Sequence, residues 1–343
     1  MITYSPDISK ELRRLPFHSR YERLGLRLEE SDGWLIPSEF HSLKTELKLL
    51  SEGRGVVDFS DRGILELSGK DTIDFLHRIS TNDFLSPDSP SGIQTLLLSE
   101  KGRVLDSILV IRWEGKILAV TSRSGEQHAK EWLERFIIMD DVSVRDATGE
   151  YALLARPLGG NAADQPLRYL LGSSVITKYF ETDTEFLITN KDATVVTQLE
   201  DKGLAQAGDD AYEAFRIGKG IPRYGKEITG EFNPLELNLR SQISFDKGCY
   251  IGQEIVARLD TYQKVKRRLC LVRWSESIPN SGAAILISEG REAGLLTSRS
   301  PEIGEDNSMM GLAVVRKEYA VKGGKIRAKL NDAEVIVQYV FES

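Results

Sequence analysis

Residues 244–254 combine several groups that could do chemistry. Their sequence is SFDKGCYIGQE, in which two glycines flank the pair Cys249 and Tyr250. The glycines permit a tight turn and a close approach of a ligand to the backbone. Lys247 lies two positions before the cysteine, and a neighbouring cation favours the thiolate, the form of cysteine that attacks electrophiles and binds metals. The pattern is typical of a reactive cysteine, and it makes Cys249 and Lys247 the candidate catalytic residues.

The two cysteines of the chain have simpler interpretations as well. Cys249 could be a small buried residue, as most free cysteines are, and Cys270 is expected to be buried because it lies in the apolar stretch LCLV. Two thiols cannot supply the four ligands that an iron–sulfur cluster usually needs. The four histidines have none of the spacings of a zinc site. We therefore predict no metal site within the chain.

The charge and composition of the chain limit its partners. Its 343 residues carry a formal net charge of −7, which gives no general attraction to nucleic acid or anionic lipid. The apolar runs are far shorter than the ~18 residues of a membrane-spanning helix. The first 14 residues include five charged ones and lack the apolar segment of a secretory signal. We expect a cytoplasmic protein with no membrane partner and no direct nucleic-acid partner.

The length and the order of the elements predict several packed units. Single cores stop growing at roughly 250 to 300 residues, so a chain of this length favours two or three subdomains. Helical spacing at 39–50 and 209–217 mixes with strand patterns at 55–67 and 104–122, without a regular strand–helix–strand repeat. From about residue 269 onward the pattern indicates only short strands. We predict the α+β class, with two intertwined subdomains over residues 1–264 and a small β-barrel over residues 265–343.

The segment around Cys249 also carries a family resemblance. KGCYIGQE at 247–254 resembles the signature octapeptide of the YgfZ family at all eight positions. The flanking segments FNPLELNL at 232–239 and IVAR at 255–258 resemble that family too. FRI at 215–217 and GIPRYG at 220–225 resemble a helix and loop that YgfZ proteins share with the glycine-cleavage T-protein.

Further matches lie near the start of the chain. LSGKD at 67–71 and TND at 81–83 resemble the opening of the folate-binding module of these proteins. The resemblance implies a GcvT-like folate-binding fold, in which three subdomains surround a central channel that admits tetrahydrofolate. It also implies a tetrahydrofolate-binding accessory protein for the assembly or repair of four-iron proteins, with effects on radical enzymes that modify tRNA. The implied partners are folate and iron–sulfur assembly proteins or client enzymes.

The resemblance also implies which residues contact the folate, as tetrahydrofolate or a one-carbon derivative. The predicted set combines cations for the glutamate tail with residues of the octapeptide and its surroundings: Asp106, Arg103, Arg223, Glu236, Tyr250, Gln253 and Glu254. For Arg103 the alternative is a solvated hairpin edge. In T-protein relatives a glutamate that holds the pterin stands where this chain has Gly218. Of the T-protein's paired aspartates only Asp106 is retained.

Two other functions stay open from the sequence. The chain could be a tetrahydrofolate-dependent aminomethyltransferase or demethylase with Asp106 as its carboxylate, or a protein that binds folate without catalysis. Whether the chain is an enzyme is therefore left undecided.

Overall fold

A computed structural model describes residues 12–85, 92–159, 167, 174–180, 182–189, 191, 194–279, 282–304 and 307–342. The helices are α1 His18–Arg23, α2 Leu43–Ser51, α3 Thr72–Ile79, α4 Glu126–Arg135, α5 Thr194–Asp201, α6 Asp209–Lys219 and α7 Gln253–Thr261. The strands are β1 Arg13–Arg14, β2 Leu28–Ser31, β3 Trp34–Pro37, β4 Gly55–Asp58, β5 Arg62–Ser68, β6 Gly92–Leu98, β7 Val104–Trp113, β8 Lys116–Arg123, β9 Ser143–Asp146, β10 Ala152–Pro157, β11 Ser174–Tyr179, β12 Thr182–Thr189, β13 Ala205–Ala207, β14 Arg267–Trp274, β15 Ala284–Ser288, β16 Arg291–Ile303, β17 Met309–Arg316, β18 Lys325–Ala328 and β19 Glu334–Val340.

The first large sheet has the strand order β6-β7-β8-β5-β9, and all its pairings are antiparallel. Strand β7, which lies between β6 and β8, is apolar on both faces because each face packs into a different core cluster. One of these clusters contains Phe75 and Leu76 of α3 with Trp132 and Leu133 of α4, so the two helices cover one face of the sheet. The other face of the sheet contributes to the main core of the molecule.

The second large sheet has the order β11-β12-β10-β4-β13, in which β13 pairs with β4 in parallel and the other strands pair antiparallel. Helix α6 begins two residues after β13. Its apolar side, with Tyr212, Phe215 and Ile217, packs into the same main core as the first sheet. The small sheet β1-β3-β2 and helix α1 pack against the opposite face of the second sheet. The two large sheets thus share one core.

The last six strands close into a barrel with the order β14-β17-β16-β15-β18-β19. Closure removes the free sheet edges that six short strands would otherwise expose. The barrel has its own core, which includes Cys270, Trp274 and Leu286. The expected burial of Cys270 is confirmed. Helix α6 contacts barrel strand β16, so the barrel packs directly against the region that precedes it.

This architecture confirms the predicted α+β class with a small β-barrel at the C-terminal end. Helices and strands are mixed without a regular repeat because antiparallel hairpins dominate both large sheets, whereas helices cover only some of the sheet faces. Among the described residues, no helix is both long enough and apolar enough to cross a membrane.

Candidate functional site

The octapeptide loop, residues 247–252, is anchored by its lysine. The Nζ of Lys247 donates hydrogen bonds to the carbonyl oxygens of Ser80 and Asn82, each at 2.8 Å, and to that of His77. These carbonyls lie at and just beyond the C-terminal end of α3, where the helix dipole favours a cation. Burial lowers the pKa of Lys247 to about 8 while Asp83 opposes the shift, so the ammonium with its three donors still predominates at neutral pH.

Within the same loop, the cysteine and the tyrosine face in different directions. Cys249 is exposed, so the alternative that it is a buried packing residue is wrong. Tyr250 is 7% exposed and belongs to the main core, and this burial raises its pKa to about 12. Its ring centre lies 5.4 Å from the Nζ of Lys247. Lys247 and Tyr250 therefore hold the loop in place and leave the thiol accessible.

A close backbone approach fixes the far end of the loop. Gly252 has a φ of +81°, and a Cβ there would lie 2.7 Å from the carbonyl oxygen of Ser99 in the turn between β6 and β7. On the other side of this contact, a Cβ on Gly102 would lie 3.1 Å from that of Ile255 in α7. The glycines of the octapeptide and of the hairpin turn thus let the two segments touch.

Four predicted folate-binding residues lie around this contact. Arg103, which follows the hairpin glycine, pairs with the carboxylate of Glu236 at 3.6 Å. Glu236 is buried in a capping box with Asn233, and its short helix packs against α7. Gln253 and Glu254 form the first turn of α7, where Glu254 is exposed and pairs with Arg258 at 2.9 Å. The structure therefore brings Arg103, Glu236 and α7 together beside the octapeptide loop.

Asp106 lies in β7, three positions after Arg103, which directly precedes the strand. For extended backbone, three positions correspond to about 10 Å. Asp106 is 1% exposed and accepts hydrogen bonds from the backbone amide of Ser107 at 2.8 Å and from the hydroxyl of Ser122 at 2.5 Å. Burial raises its pKa to about 6, although the hydrogen bonds from Ser122 and Ser107 oppose the shift. A buried carboxyl that titrates near neutral pH is typical of functional sites.

Beside Asp106 lies a charged hollow that we call the arginine cavity. Its lining includes Ser107 and Ser122 together with four arginines and two carboxylates: Arg62, Arg123, Arg216, Arg223, Asp209 and Glu213. The cavity volume is about 20 Å³, which is enough for water-sized groups. Burial alone would raise the pKa of Asp209, but the Arg123 guanidinium 2.6 Å away lowers it overall, so Asp209 stays ionised.

Of these charged residues, only Arg223 was predicted from the sequence. Its guanidinium pairs with Asp32 at 2.7 Å and with Glu213 at 3.2 Å, so Arg223 lines the arginine cavity and not the octapeptide loop. Arg62 and Arg123 are separated by 61 positions in the chain and meet because β5 pairs with β8. No local spacing signals such a cross-strand cluster.

A second hollow, the junction groove, lies between α6, the segment 238–245 and the barrel. Its volume is about 870 Å³, and its lining combines aromatic, cationic and acidic residues: Gly218, Lys219, Asn238, Arg240, Ser241, Ile243, Phe245, Leu271, Tyr339, Phe341 and Glu342. The guanidinium of Arg240 stacks on the ring of Phe245 at 4.4 Å. None of the predicted folate-binding residues is in this lining, although Gly218 is the position that the resemblance associates with the pterin.

Two domain families match the chain. Residues 17–181 match the model of the GCVT N-terminal domain, and residues 266–339 match that of the CAF17 C-terminal beta-barrel domain. A crystal structure of the glycine cleavage system aminomethyltransferase T from Bartonella henselae superposes with a TM-score of 0.79, covering 96% of this chain and 98% of that one at 20% identity. The fold is GcvT-like. The predicted fold class is thereby confirmed, and the two domain matches indicate the family that includes GcvT, CAF17 and YgfZ proteins.

Curated relatives of this GcvT-like chain include proteins named aminomethyltransferases and a putative chloroplastic transferase from Arabidopsis thaliana, which is 29% identical with 85% of this chain and 72% of the relative covered. An aminomethyltransferase from Halalkalibacterium halodurans is 24% identical, with 96% of this chain and 97% of the relative covered. One from Bacillus pumilus is 26% identical, with 93% of this chain and 94% of the relative covered.

Within the described part of the chain, no three metal-ligating side chains cluster closely enough to hold an ion.

Proposed function

We propose that this chain is a YgfZ-type protein that binds tetrahydrofolate or a one-carbon derivative and assists the assembly or repair of four-iron proteins. The observation that carries the proposal is the octapeptide loop, in which Lys247 is fixed by three carbonyls while Cys249 stays exposed. A thiol on an anchored loop is presented to another molecule in a defined position. In this role Cys249 reacts and Lys247 positions it.

The partner must supply the rest of the cluster chemistry. One accessible thiolate provides a single ligand or a single covalent bond, whereas a four-iron cluster usually needs about four thiolates. The other cysteine, Cys270, is buried in the barrel core. Cys249 therefore acts on a cluster held by an iron–sulfur assembly protein or a client enzyme, and radical enzymes that modify tRNA are among the clients. The net charge of −7 supports a cytoplasmic setting without direct contact to nucleic acid or membrane.

The decisive experiment measures four-iron enzyme activity in cells that lack this protein. The unmodified chain should restore activity and Cys249→Ala should not. Cys270→Ala is the matched control, because it makes the same substitution at the buried cysteine of the barrel core. It should restore activity as long as it folds. Equal rescue by Cys249→Ala, or no deficit in the deletion strain, would overturn the proposal.

The junction groove is the better of the two hollows for folate. Its volume of about 870 Å³ lies within the ~300–1,000 Å³ of small-molecule sites, whereas the arginine cavity as it stands has room for about 20 Å³. Phe245 and Tyr339 offer rings on which a pterin can stack. Lys219 offers a cation for the glutamate tail, and Arg240, whose guanidinium also pairs with Asp260, offers a second one.

The same groove contains a carboxylate that can replace the missing glutamate. The resemblance implies a pterin-binding glutamate at the position of Gly218, and here Glu342 lines the groove that Gly218 borders. A carboxylate accepts hydrogen bonds from the amino and ring N–H groups of a pterin. We assign this part to Glu342.

Folate binding is tested by titrating the purified chain with 5-formyltetrahydrofolate. Gly218→Phe should block binding, whereas Gly218→Ala should not, because a Cβ at this position meets nothing within 4 Å. Glu342→Gln should weaken binding, and Glu334→Gln, a change at a partly buried barrel residue outside the groove, is the control. Unchanged affinity in Gly218→Phe would exclude the groove, and no binding to the unmodified chain would exclude folate.

A one-carbon transferase is the second candidate, and the buried Asp106 favours it. A carboxyl with a pKa of about 6 can exchange a proton near neutral pH. The curated aminomethyltransferase relatives support the same interpretation. In this case the folate would have to reach the arginine cavity beside Asp106. To test this candidate, the chain is supplied with an aminomethyl-lipoyl carrier or an N-methyl amine. If the unmodified chain forms methylene-tetrahydrofolate and Asp106→Asn does not, the transferase activity is established. If no methylene-tetrahydrofolate forms with either substrate, the activity is excluded.

A further inference from the structure

A small apolar pocket lies directly beside the octapeptide loop, and we call it the α4 pocket. It is formed where the turn between β6 and β7 meets the end of α4 and the loop. Its volume is about 300 Å³. The lining combines five apolar residues with three charged residues and a serine: Leu98, Leu105, Trp132, Phe136, Ile251, Glu100, Lys101, Arg135 and Ser99. The ring centres of Trp132 and Phe136 lie 4.9 Å apart, so one wall of the pocket is aromatic.

The apolar surface continues outside this pocket. Ile138 and Met139, two and three positions after Phe136, are 84% and 92% exposed, more than any other large apolar side chain that the structure describes. Successive Cα atoms are 3.8 Å apart, so the Cα of Ile138 lies within about 8 Å of that of Phe136. Single exposed apolar residues are common, whereas two neighbours beside an apolar pocket are typical of an interaction surface. A molecule confined to the pocket would leave both side chains in water, so the surface fits a larger partner.

The exposed thiol is close to the same pocket. Cys249 is two positions before Ile251 of the lining, so the Cα atoms of these two residues also lie within about 8 Å of each other. Gly252 holds the loop against the turn between β6 and β7, and this turn supplies Ser99 and Lys101 to the lining. The thiol and the pocket are therefore kept a short distance apart. A protein whose surface reaches Cys249 is large enough to cover the pocket as well.

The charges at the pocket indicate the chemistry of that partner. Lys101 and Arg135 are exposed, and within the described part of the chain neither pairs with a carboxylate. Glu100 is the single carboxylate among the described residues of the lining. Protein interfaces commonly place an apolar anchor at the centre and charged groups at the rim. Two unpaired cations against one carboxylate favour acidic residues on the partner, beside its apolar anchor.

We propose that the α4 pocket, together with Ile138 and Met139, is the docking surface of a partner protein. The partner inserts one bulky apolar side chain, flanked by acidic residues, into the pocket and thereby lies over Cys249. That this partner carries or receives an iron–sulfur cluster rests on the proposed function, whereas the docking surface itself does not. Docking here lets a single exposed thiol meet a chosen target, because the pocket recognises the partner before the thiol reacts.

The test is photo-crosslinking in cells, with the full chain carrying p-benzoylphenylalanine in place of the exposed Ile138. One partner protein should be captured. Mass spectrometry of the crosslinked peptide should find a bulky apolar residue within a few positions of an aspartate or glutamate. Met139→Asp should lower the yield of this adduct at least about fivefold, as the removal of an interface anchor does. Its matched control is Val321→Asp, the same kind of change at an exposed apolar residue of the barrel, which should leave the yield unchanged.

A change of charge tests the acidic side of the partner. The double variant Lys101→Glu with Arg135→Glu should lower the yield at least about threefold, because two attractive rim contacts become repulsive. Both side chains are exposed, so this variant should fold, and circular dichroism checks that it does. Lys226→Glu, at an exposed lysine outside the pocket, is the control and should keep the yield.

Four outcomes would overturn the proposal: no specific adduct, an adduct between two copies of this chain, a crosslinked peptide without such an apolar residue, or a yield that Met139→Asp leaves unchanged. An unchanged yield in the double variant would exclude acidic residues on the partner. The identity of the captured protein separates this proposal from the proposed function. A mapped partner that holds no iron–sulfur cluster would support the docking surface and contradict the proposed function. Rescue of four-iron enzymes without any adduct would do the reverse.

Discussion

Single side chains in this protein take their roles from the backbone around them. Lys247 shows this most clearly, because its charge suggests activation of the neighbouring thiol whereas its three donors are used by carbonyls at the end of α3. Asp58 is a second example: this partly buried carboxyl of β4 accepts hydrogen bonds from the hydroxyl of Tyr21 at 2.7 Å and from the backbone amide of Ser60 at 2.9 Å.

Lys247→Met should destabilise the protein and loosen the octapeptide loop. Hydrogen bonds that involve a charged group contribute about 1.5–3 kcal/mol, so we expect a loss of about 2 kcal/mol in the free energy of unfolding. Urea denaturation measures the loss, and limited proteolysis reports cleavage within residues 244–252. Lys226→Met, a change at an exposed lysine, is the control. If the two variants have the same stability, the three hydrogen bonds do not anchor the loop.

Asp58→Asn should stabilise the protein at pH 7 and lose this advantage at pH 4. Burial raises the pKa of Asp58 to about 6 from 3.8, so the folded state binds a proton that the unfolded state has released. The stability from this group is present below pH 4 and is lost as the pH rises through 6. A shift of about two pKa units corresponds to roughly 3 kcal/mol.

The surroundings of Asp58 tolerate an amide. The Oε1 of Gln206 has no hydrogen-bond partner in the described structure, whereas its Nε2 donates to the hydroxyl oxygen of Tyr21. If the Gln206 amide turns over, its Oε1 can accept a hydrogen bond from the Tyr21 hydroxyl. The side-chain amide introduced by Asp58→Asn can then donate to the Tyr21 oxygen. Thermal unfolding of both proteins across this pH range measures the difference. A constant difference between them would mean that Asp58 does not titrate near pH 6.

At the scale of elements, glycines decide how the octapeptide loop meets the rest of the first sheet. The turn between β6 and β7 and the start of α7 approach so closely that each needs a glycine at the contact. The loop is thus held by α3 at Lys247 and by the hairpin turn at Gly252, and Cys249 lies between the two attachments.

Gly252→Ala should destabilise the protein by about 2 kcal/mol, because a non-glycine residue at a left-handed φ costs about 1–3 kcal/mol. The close approach to Ser99 adds to this cost. Gly248→Ala is a matched control four positions earlier in the same loop, since a Cβ there meets nothing within 4 Å. Chemical denaturation of the two variants checks the prediction, and equal stability would contradict the tight contact.

For the molecule as a whole, one buried glutamate connects the barrel to the arginine cavity. Glu227 is fully buried and accepts hydrogen bonds from the hydroxyl groups of Thr297 and Ser298 in β16, both within 2.6 Å. Its second carboxylate oxygen accepts from the backbone amide of Arg223 at 2.9 Å and lies 3.5 Å from Arg216. The barrel therefore helps to fix the loop that carries Arg223.

Glu227→Gln should cost about 3–5 kcal/mol, the range for breaking a buried ion pair. Glu334→Gln in the same barrel should cost less than about 1 kcal/mol, because its pair with Lys325 is exposed. Urea unfolding, followed by tryptophan fluorescence and by far-ultraviolet circular dichroism, measures both changes in stability. In Glu227→Gln, the fluorescence and circular dichroism transitions could coincide and keep the midpoint of the unmodified chain. That result would show that this contact does not join the barrel to the other subdomains.

The sequence alone determined the fold class and the series of short strands that form the barrel, whereas the role of the octapeptide stays a prediction. The fold class and the barrel strands follow from local patterns, namely hydrophobic periodicity and turn residues, so neighbours in the chain are sufficient to predict them. The prediction that Cys270 is buried rested on the same local information.

The tertiary structure decided which charged residues meet. Arg62, Arg123, Asp209 and Arg223 come from four separate elements, and only sheet pairing and the packing of α6 place them in one cavity. It also decided that Lys247 donates to α3, because its three acceptors lie more than 160 positions away in the chain. Long-range contacts of this kind depend on how whole elements pack, so the spacing of residues along the chain carries no signal for them.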